Sequence, residues 1–353
     1  MLRFVHVVSG PRVGLLLLAL LALGVGGCGD GRTPLVLYSP HGRDLLTLLE
    51  NAFEAEHPTI DVRWLDMGSQ EVLDRLRAEA ANPQADVWFG GPATLFARGV
   101  REQLLQPHRP PWAQAVPASS RDADGYYAAL YRTPPVIVYN EEALSADEAP
   151  NDWDELLDAR WSGRVLIRDP LASGTMRTIF GYILARAEMR GGTVDDGFAW
   201  LRQLDAQTKE YVHSPALLHQ KLVRQEGVVT LWELTDILFQ RQRGNPLGYR
   251  FPPSGTPVIN DAIGLVANAP HPEPAMRFID WVGTLEVLQL TAENAYRLPA
   301  RDDIPPVALP DWAQEALRAM VVAEVDWARI EEQGAAWMMT WDRTVRGKGE
   351  RSP

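Results

Sequence analysis

Leu35-Val36-Leu37-Tyr38-Ser39-Pro40-His41-Gly42 sets the pattern for the chain. Four apolar residues followed by serine, proline and glycine predict a buried strand running into a loop. Residues 44–57 then carry Leu45, Leu48, Leu49, Ala52 and Phe53 at helical spacing. Ile60-Asp61-Val62-Arg63-Trp64 alternates as a strand does, and residues 70–81 put Val72, Leu73 and Leu76 on one helical face. Asp86-Val87-Trp88-Phe89 reads as a third strand, stopped by Gly90-Gly91-Pro92. Strands alternating with helices predict a parallel α/β sheet. Ligands of such sheets sit beyond the carboxyl ends of the strands. The loops at 39–43, 68–69 and 90–94 are therefore candidate binding segments.

An extended segment at 126–140, interrupted by Pro134-Pro135, leads into a second α/β unit. That unit reads as strands at 164–168, 210–213 and 227–231 with helices at 174–187 and 195–204. A second proline-marked stretch, Tyr249-Arg250-Phe251-Pro252-Pro253-Ser254-Gly255-Thr256-Pro257, enters a strand at 258–267. Two extended crossings that bracket an α/β unit predict two lobes. The first comprises 35–131 and 260–305, the second 132–259. Residues 306–346 read as helices packing on the lobes, and 347–353 as a frayed tail.

The only cysteine, Cys28, directly follows the apolar run from Val13 to Val25, which has Arg3 and Arg12 ahead of it and Gly26-Gly27 behind. A charged start, an apolar middle and small residues at the cut predict a secretory signal over 1–27. The run is shorter than the roughly 20 residues a spanning helix needs. A cysteine at the cut resembles the lipobox of bacterial lipoproteins, which implies acylation of Cys28, a linker at 28–34 and attachment to a membrane. A buried cysteine beside a short membrane anchor is the alternative. With one cysteine no intrachain disulfide forms, so stability rests on packing. A net charge of −12 without a basic stripe argues against nucleic acid as a partner. Small anions stay open, because local donors matter more than net charge.

No G-x-S-x-G elbow, G-x-G-x-x-G, Walker loop or H-E-x-x-H occurs, and the histidines have no metal-ligand spacing. More informative is Asp169-Pro170-Leu171-Ala172-Ser173-Gly174-Thr175, which follows one predicted strand and opens a helix. Ser173 or Thr175 can cap that helix. Its first-turn amides form an anion site, with Gly174 permitting close approach. A plain N-cap explains the same residues. Arg168 and Arg177 stand nearby, either as anion partners or as surface charges. Thr230-Leu231-Trp232-Glu233-Leu234-Thr235-Asp236 ends another strand. There Trp232 supplies an aromatic wall and Glu233 or Asp236 holds a cation; the alternative is a core tryptophan followed by a helix start with favourable acids.

Taken in order, Tyr38-Ser39-Pro40-His41, Gly68-Ser69-Gln70-Glu71, Asn82-Pro83-Gln84-Ala85-Asp86-Val87-Trp88-Phe89-Gly90-Gly91 and Ile137-Val138-Tyr139-Asn140 form one half of a family likeness. Trp153-Asp154-Glu155-Leu156-Leu157-Asp158, Trp161-Ser162-Gly163-Arg164 and Asp169 through Thr175 form the other. Together they resemble the periplasmic substrate-binding proteins of ABC importers, in the branch that includes ferric-ion-binding proteins. The resemblance implies a type II two-lobed fold, each lobe a mainly parallel sheet flanked by helices. It also implies a monomeric carrier that closes on a small ligand, delivers it to an ABC permease and performs no catalysis. Ferric-binding members carry adjacent tyrosines after the strand matching 227–231. This chain has Trp232-Glu233-Leu234 there, so no metal or other cofactor is expected and ferric ion is disfavoured. The ligand expected instead is a small anion or zwitterion of organic phosphate or phosphonate type. Ser39, His41, Ser69 and Gly91 are its expected contacts from one lobe, Ser173, Gly174, Thr175, Trp232 and Glu233 from the other, with Arg132 as a further anion partner. The rival readings are a ferric carrier using His41, Glu233 and an exogenous anion, an exported hydrolase built on Ser173 and His213, and a sensor or adaptor lipoprotein.

Overall fold

In the computed structural model, which describes residues 31–349, the opening apolar run is strand β1 (Thr33–Ser39). The predicted signal segment, Cys28 and residues 29, 30 and 350–353 lie outside the described residues. Helix α1 (Arg43–Glu56) buries Leu45, Leu46, Leu49 and Phe53. Strand β2 (Ile60–Asp66), helix α2 (Ser69–Ala78), strand β3 (Val87–Pro92) and helix α3 (Ala93–Arg101) complete the alternation. All of β3 is buried, as a strand covered on both faces must be.

After β4 (Leu105–Gln106), strand β5 (Ala128–Thr133) hands the chain through Pro134 to β6 (Pro135–Asn140) in the second sheet. That lobe continues with β7 (Val165–Arg168), α4 (Gly174–Met189), α5 (Val194–Gln207), β8 (Thr208–Val212), α6 (Pro215–Val223), β9 (Val229–Glu233), α7 (Leu234–Gln242) and β10 (Leu247–Arg250). Residues 251–258 return the chain to β11 (Ile259–Val266), α8 (Pro272–Val282), α9 (Leu285–Ala295) and β12 (Leu298–Pro299). Helices α10 (Asp311–Ala319) and α11 (Trp327–Thr344) close the described chain.

The first sheet runs β12-β5-β11-β3-β1-β2 with β4 against β11, and the second β10-β6-β9-β7-β8. The two-lobed α/β architecture is the expected one. The sheets themselves are mixed rather than mainly parallel. Strands from βαβ units pair parallel: β1 with β2 and β3, β7 with β8 and β9. Strands at the crossings enter antiparallel: β11 on β3 and β5, β6 on β9. The larger sheet has a core on each face, one around Leu35, Phe53 and Phe278, the other around Tyr38, Trp88 and Phe96. Trp337, Met338 and Trp341 of α11 belong to the core of the second lobe. Glu331 on the same helix pairs with Arg101 of α3 in the first, so α11 touches both lobes.

Candidate solute-binding cleft

The loops after β1, β2 and β3 face the ends of β7 and β9 across a cleft of about 610 Å³. That is the size of a small organic solute, since ligand pockets span about 300–1,000 Å³.

One wall is built around Arg297, which follows Tyr296, the left-handed residue at φ 50 that ends α9. Arg297 is 2% exposed; its Nη2 donates to the His41 carbonyl at 3.3 Å and its Nε has no partner. Beside it, Asp261 of β11 is buried and accepts from the Gly91 N–H. Burial pushes the Asp261 carboxyl up to about 6, although Arg297 and the Gly91 amide pull the other way. His41 packs its ring edge-on against Phe89 and Tyr131, with centroids 4.6 and 5.7 Å away. Burial and the Arg297 charge hold its imidazole well below the usual value, so it is neutral. Its Nδ1 stands 3.5 Å from Asp261 Oδ2, and its Nε2 is unpartnered. Gly90 makes this seat possible: at φ 101 a β-carbon would drive into the imidazole.

The facing wall starts at the N-terminus of α4. Ser173 Oγ caps the helix by accepting from Met176 N at 3.2 Å, and Gly174 N donates across the cleft to Ser69 Oγ at 3.2 Å. Thr175 stands near the Glu233 carboxyl on the same wall. Glu233 sits between β9 and α7; burial and the neighbouring Asp236 push it up to about 8, with Arg297 and Thr175 opposing. Trp232 is buried in the second core, and its Nε1 donates to Asp236 Oδ2 at 2.7 Å. His219 is 6% exposed, with Nε2 unpartnered and 4.0 Å from the same Oδ2. Arg168, also buried, donates to the Val212 carbonyl and keeps an unpartnered Nε.

Of the residues expected from sequence, His41, Ser69, Gly91, Ser173, Thr175, Trp232 and Glu233 line the cleft. Ser39 does not: it is fully buried, and its Oγ accepts from His41 N at 3.2 Å, which shapes the loop beneath. Gly174 does not line it either, because its amide is engaged by Ser69. Two of the first-turn amides of α4 therefore already have partners, and the helix start is less open to an anion than its sequence suggests. Arg132 is a correction. Its Nη2 is held at 2.5 Å by Asp302 Oδ1 and at 3.2 Å by the Ala300 carbonyl. Side chains alternate along a strand, and on β5 it is the next residue, Thr133, that lines the cleft.

Sequence reading missed Arg297, Asp261, His219 and Thr133. Asp261 had a signal, a lone acid within the apolar run Ile259 to Val266. Arg297 had none, since an arginine after a helix is commonplace. Among the described residues no group of three or more His, Cys, Asp or Glu is placed to hold a metal ion.

Residues 49–319 match the model of the bacterial extracellular solute-binding protein family. The chain is 27% identical over 320 residues to a probable ABC transporter periplasmic-binding protein, y4fP, of Sinorhizobium fredii, covering 88% of this chain and 86% of that one. It is 29% identical over 255 residues to a putative 2-aminoethylphosphonate-binding periplasmic protein of Salmonella typhimurium, covering 70% and 72%. In fold it is similar to the periplasmic binding protein AfuA of Actinobacillus pleuropneumoniae with fructose-6-phosphate bound, at TM-score 0.77 and 21% identity over 90% of this chain and 100% of that one. The ferric binding protein of Campylobacter jejuni is similar too, at TM-score 0.74 and 18% identity over 88% and 98%. With two lobes, a cleft between them that charged and hydroxyl side chains help to line, and a family match across most of its length, the chain belongs to the bacterial extracellular solute-binding proteins.

Proposed function

We propose that the protein is the solute-binding component of an ABC importer, taking up a small anionic or zwitterionic solute of organic phosphate or phosphonate type between its lobes. It performs no chemistry on the solute and hands it to a permease. The observation that carries this reading is Arg297, a buried guanidinium at the cleft that forms no ion pair among the described residues and has an unpartnered Nε. The Asp261 and Glu233 carboxyls feel its charge, but neither pairs with it directly. A buried charge that is not directly paired is costly, and an anionic solute supplies a partner. Arg168 Nε and Thr133 Oγ1, both buried and unpartnered, line the same cleft and can donate to the same kind of ligand. The names of the Salmonella and Actinobacillus proteins point to phosphonate and sugar-phosphate ligands.

Isothermal titration of the mature protein with ethylphosphonate, 2-aminoethylphosphonate and fructose-6-phosphate tests it. At least one should bind, and Arg297→Met should weaken that binding by about 100-fold, the size of a lost charge-assisted pair in a desolvated site. Binding that is indifferent to Arg297, or no binding by any small anion, overturns the reading. Uptake of ferric salt with no response to phosphonates or phosphate esters would replace it with the ferric-carrier alternative. Acylation at Cys28 would hold the carrier at a membrane facing the periplasm. Cys28→Ser should then move it from the membrane fraction to the soluble one.

A further inference from the structure

The cleft has a second pole, chemically opposite to Arg297. Asp236 stands at its centre, with one oxygen fixed by Trp232 Nε1 at 2.7 Å. His219, 6% exposed, lines the cleft with Nε2 4.0 Å from that oxygen and without a partner. Across the cleft Asp66, at the end of β2, lines the same space from the other lobe. The two carboxylates are close enough that the Asp236 charge helps to raise the Asp66 carboxyl.

Two arginines stand near this pole. Arg243 is engaged by Asp44, and Arg43 is exposed at the start of α1. Both line the cleft, and the Arg43 charge and the Gly42 amide act on Asp66 as Arg243 does on His219, yet neither arginine forms an ion pair with Asp66 or Asp236 among the described residues. What remains is an acceptor-rich pocket. Asp66 and Asp236 are carboxylates, and burial holds His219 below its usual value, which keeps it neutral. With its proton on Nδ1, a neutral imidazole accepts at Nε2. A primary ammonium has three N–H donors and no acceptor. Three acceptors from two lobes match it.

We infer that Asp236, His219 and Asp66 form the seat for a primary ammonium group on the solute, so that the ligand is a zwitterion bound across the two lobes. This rests on the reading of Arg297 as the anion partner and adds the other end of the molecule. Of the two acids the sequence offered for a cation, it assigns the amine to Asp236 and not to Glu233, whose carboxyl lies under the influence of the Arg297 charge.

The test pairs 2-aminoethylphosphonate with ethylphosphonate, which differ in the amine alone. Calorimetry on the full mature chain should show the aminated probe binding about 10- to 100-fold tighter, the range for hydrogen bonds to a charged group. Asp236→Asn keeps an acceptor for Trp232 Nε1 and should erase that preference while leaving ethylphosphonate binding within about twofold. Asp66→Asn, at an exposed position, should reduce the preference as well, which separates the effect from misfolding. Equal binding of the two probes by the unsubstituted protein overturns the ammonium seat and leaves the anion reading standing. Equal loss of both probes in Asp236→Asn overturns it as well. If neither phosphonate binds, the ammonium seat falls, and the anion reading stands or falls separately with the binding of fructose-6-phosphate.

Discussion

His41 holds its place because Gly90 has no side chain, and the strength of that dependence is measurable. Gly90 adopts φ 101, and a β-carbon there meets the imidazole. Gly90→Ala adds backbone strain to a steric clash in a packed wall, and should cost about 2 kcal/mol or more. A lower urea midpoint at unchanged slope would report it. Glu233 gives a second expectation at this scale. Its carboxyl is pushed up to about 8 from an ordinary value of 4.5, so between those values the native chain holds a proton that the unfolded chain has lost. Stability from this source is complete below the unfolded value and is lost as pH rises through the folded one. Glu233→Gln cannot ionise, so its melting temperature should fall less than that of the unsubstituted protein between about pH 5 and 8.5. Parallel curves would mean that Glu233 is ionised throughout. The legible residues of the cleft were those at the carboxyl ends of strands and the segments just after them, His41, Ser69 and Gly91, because that position follows from the order of elements. Arg297 and His219 were illegible, since each is placed by chain that returns from far along the sequence.

Helix α4 shows how an element resolves what its residues leave open. From sequence, Ser173 and Thr175 were equal candidates for its cap. In the fold Ser173 takes the extended φ −109 and ψ 119 that an N-cap residue needs, and its Oγ accepts from Met176 N. Thr175 lies inside the first turn, near Glu233, and caps nothing. Ser173→Ala should therefore destabilise the protein by about 1 kcal/mol, and Thr175→Ala should leave the cap intact. Chemical denaturation of both variants checks the difference. While β1 was legible as a continuous apolar run, period revealed β2, α1 and α2, where one face is apolar and the other polar. It did not reveal α6, whose Ser214 cap and Pro215 at the first helical position were the available signals. Nor did it reveal β10, which lies in a stretch that reads as a crossing. Strand β10 exists because β6 offers it an antiparallel edge from Asn140 to Ile137. That pairing is tertiary, and no local pattern encodes it. The mixed character of both sheets was missed for the same reason.

For the whole molecule the governing quantity is the balance between lobes apart and lobes together, and two glycines sit where that balance is decided. Gly68 and Gly174 face each other's lobes at the point where Gly174 N reaches Ser69 Oγ. A β-carbon on Gly68 would lie 2.9 Å from the Ala172 carbonyl oxygen. One on Gly174 would lie 2.7 Å from Ser69 Oγ and 3.0 Å from Pro92 Cδ. Gly68 has φ −58, which alanine adopts without strain. The clash therefore exists only while the lobes are together, and separating them relieves it. Gly68→Ala should leave the stability of the ligand-free protein nearly unchanged while depleting the closed arrangement. Apparent affinity scales with the fraction of molecules competent to bind. A penalty of about 1.4 kcal/mol on closure would weaken solute binding tenfold, with Asp236, Arg297 and every other cleft residue untouched. Small-angle scattering of the ligand-free variant should give a radius of gyration at or above that of the unsubstituted protein. Saturating solute should then contract both to the same value. A variant that binds as tightly as the parent would show that the lobes do not approach this closely when the solute is held.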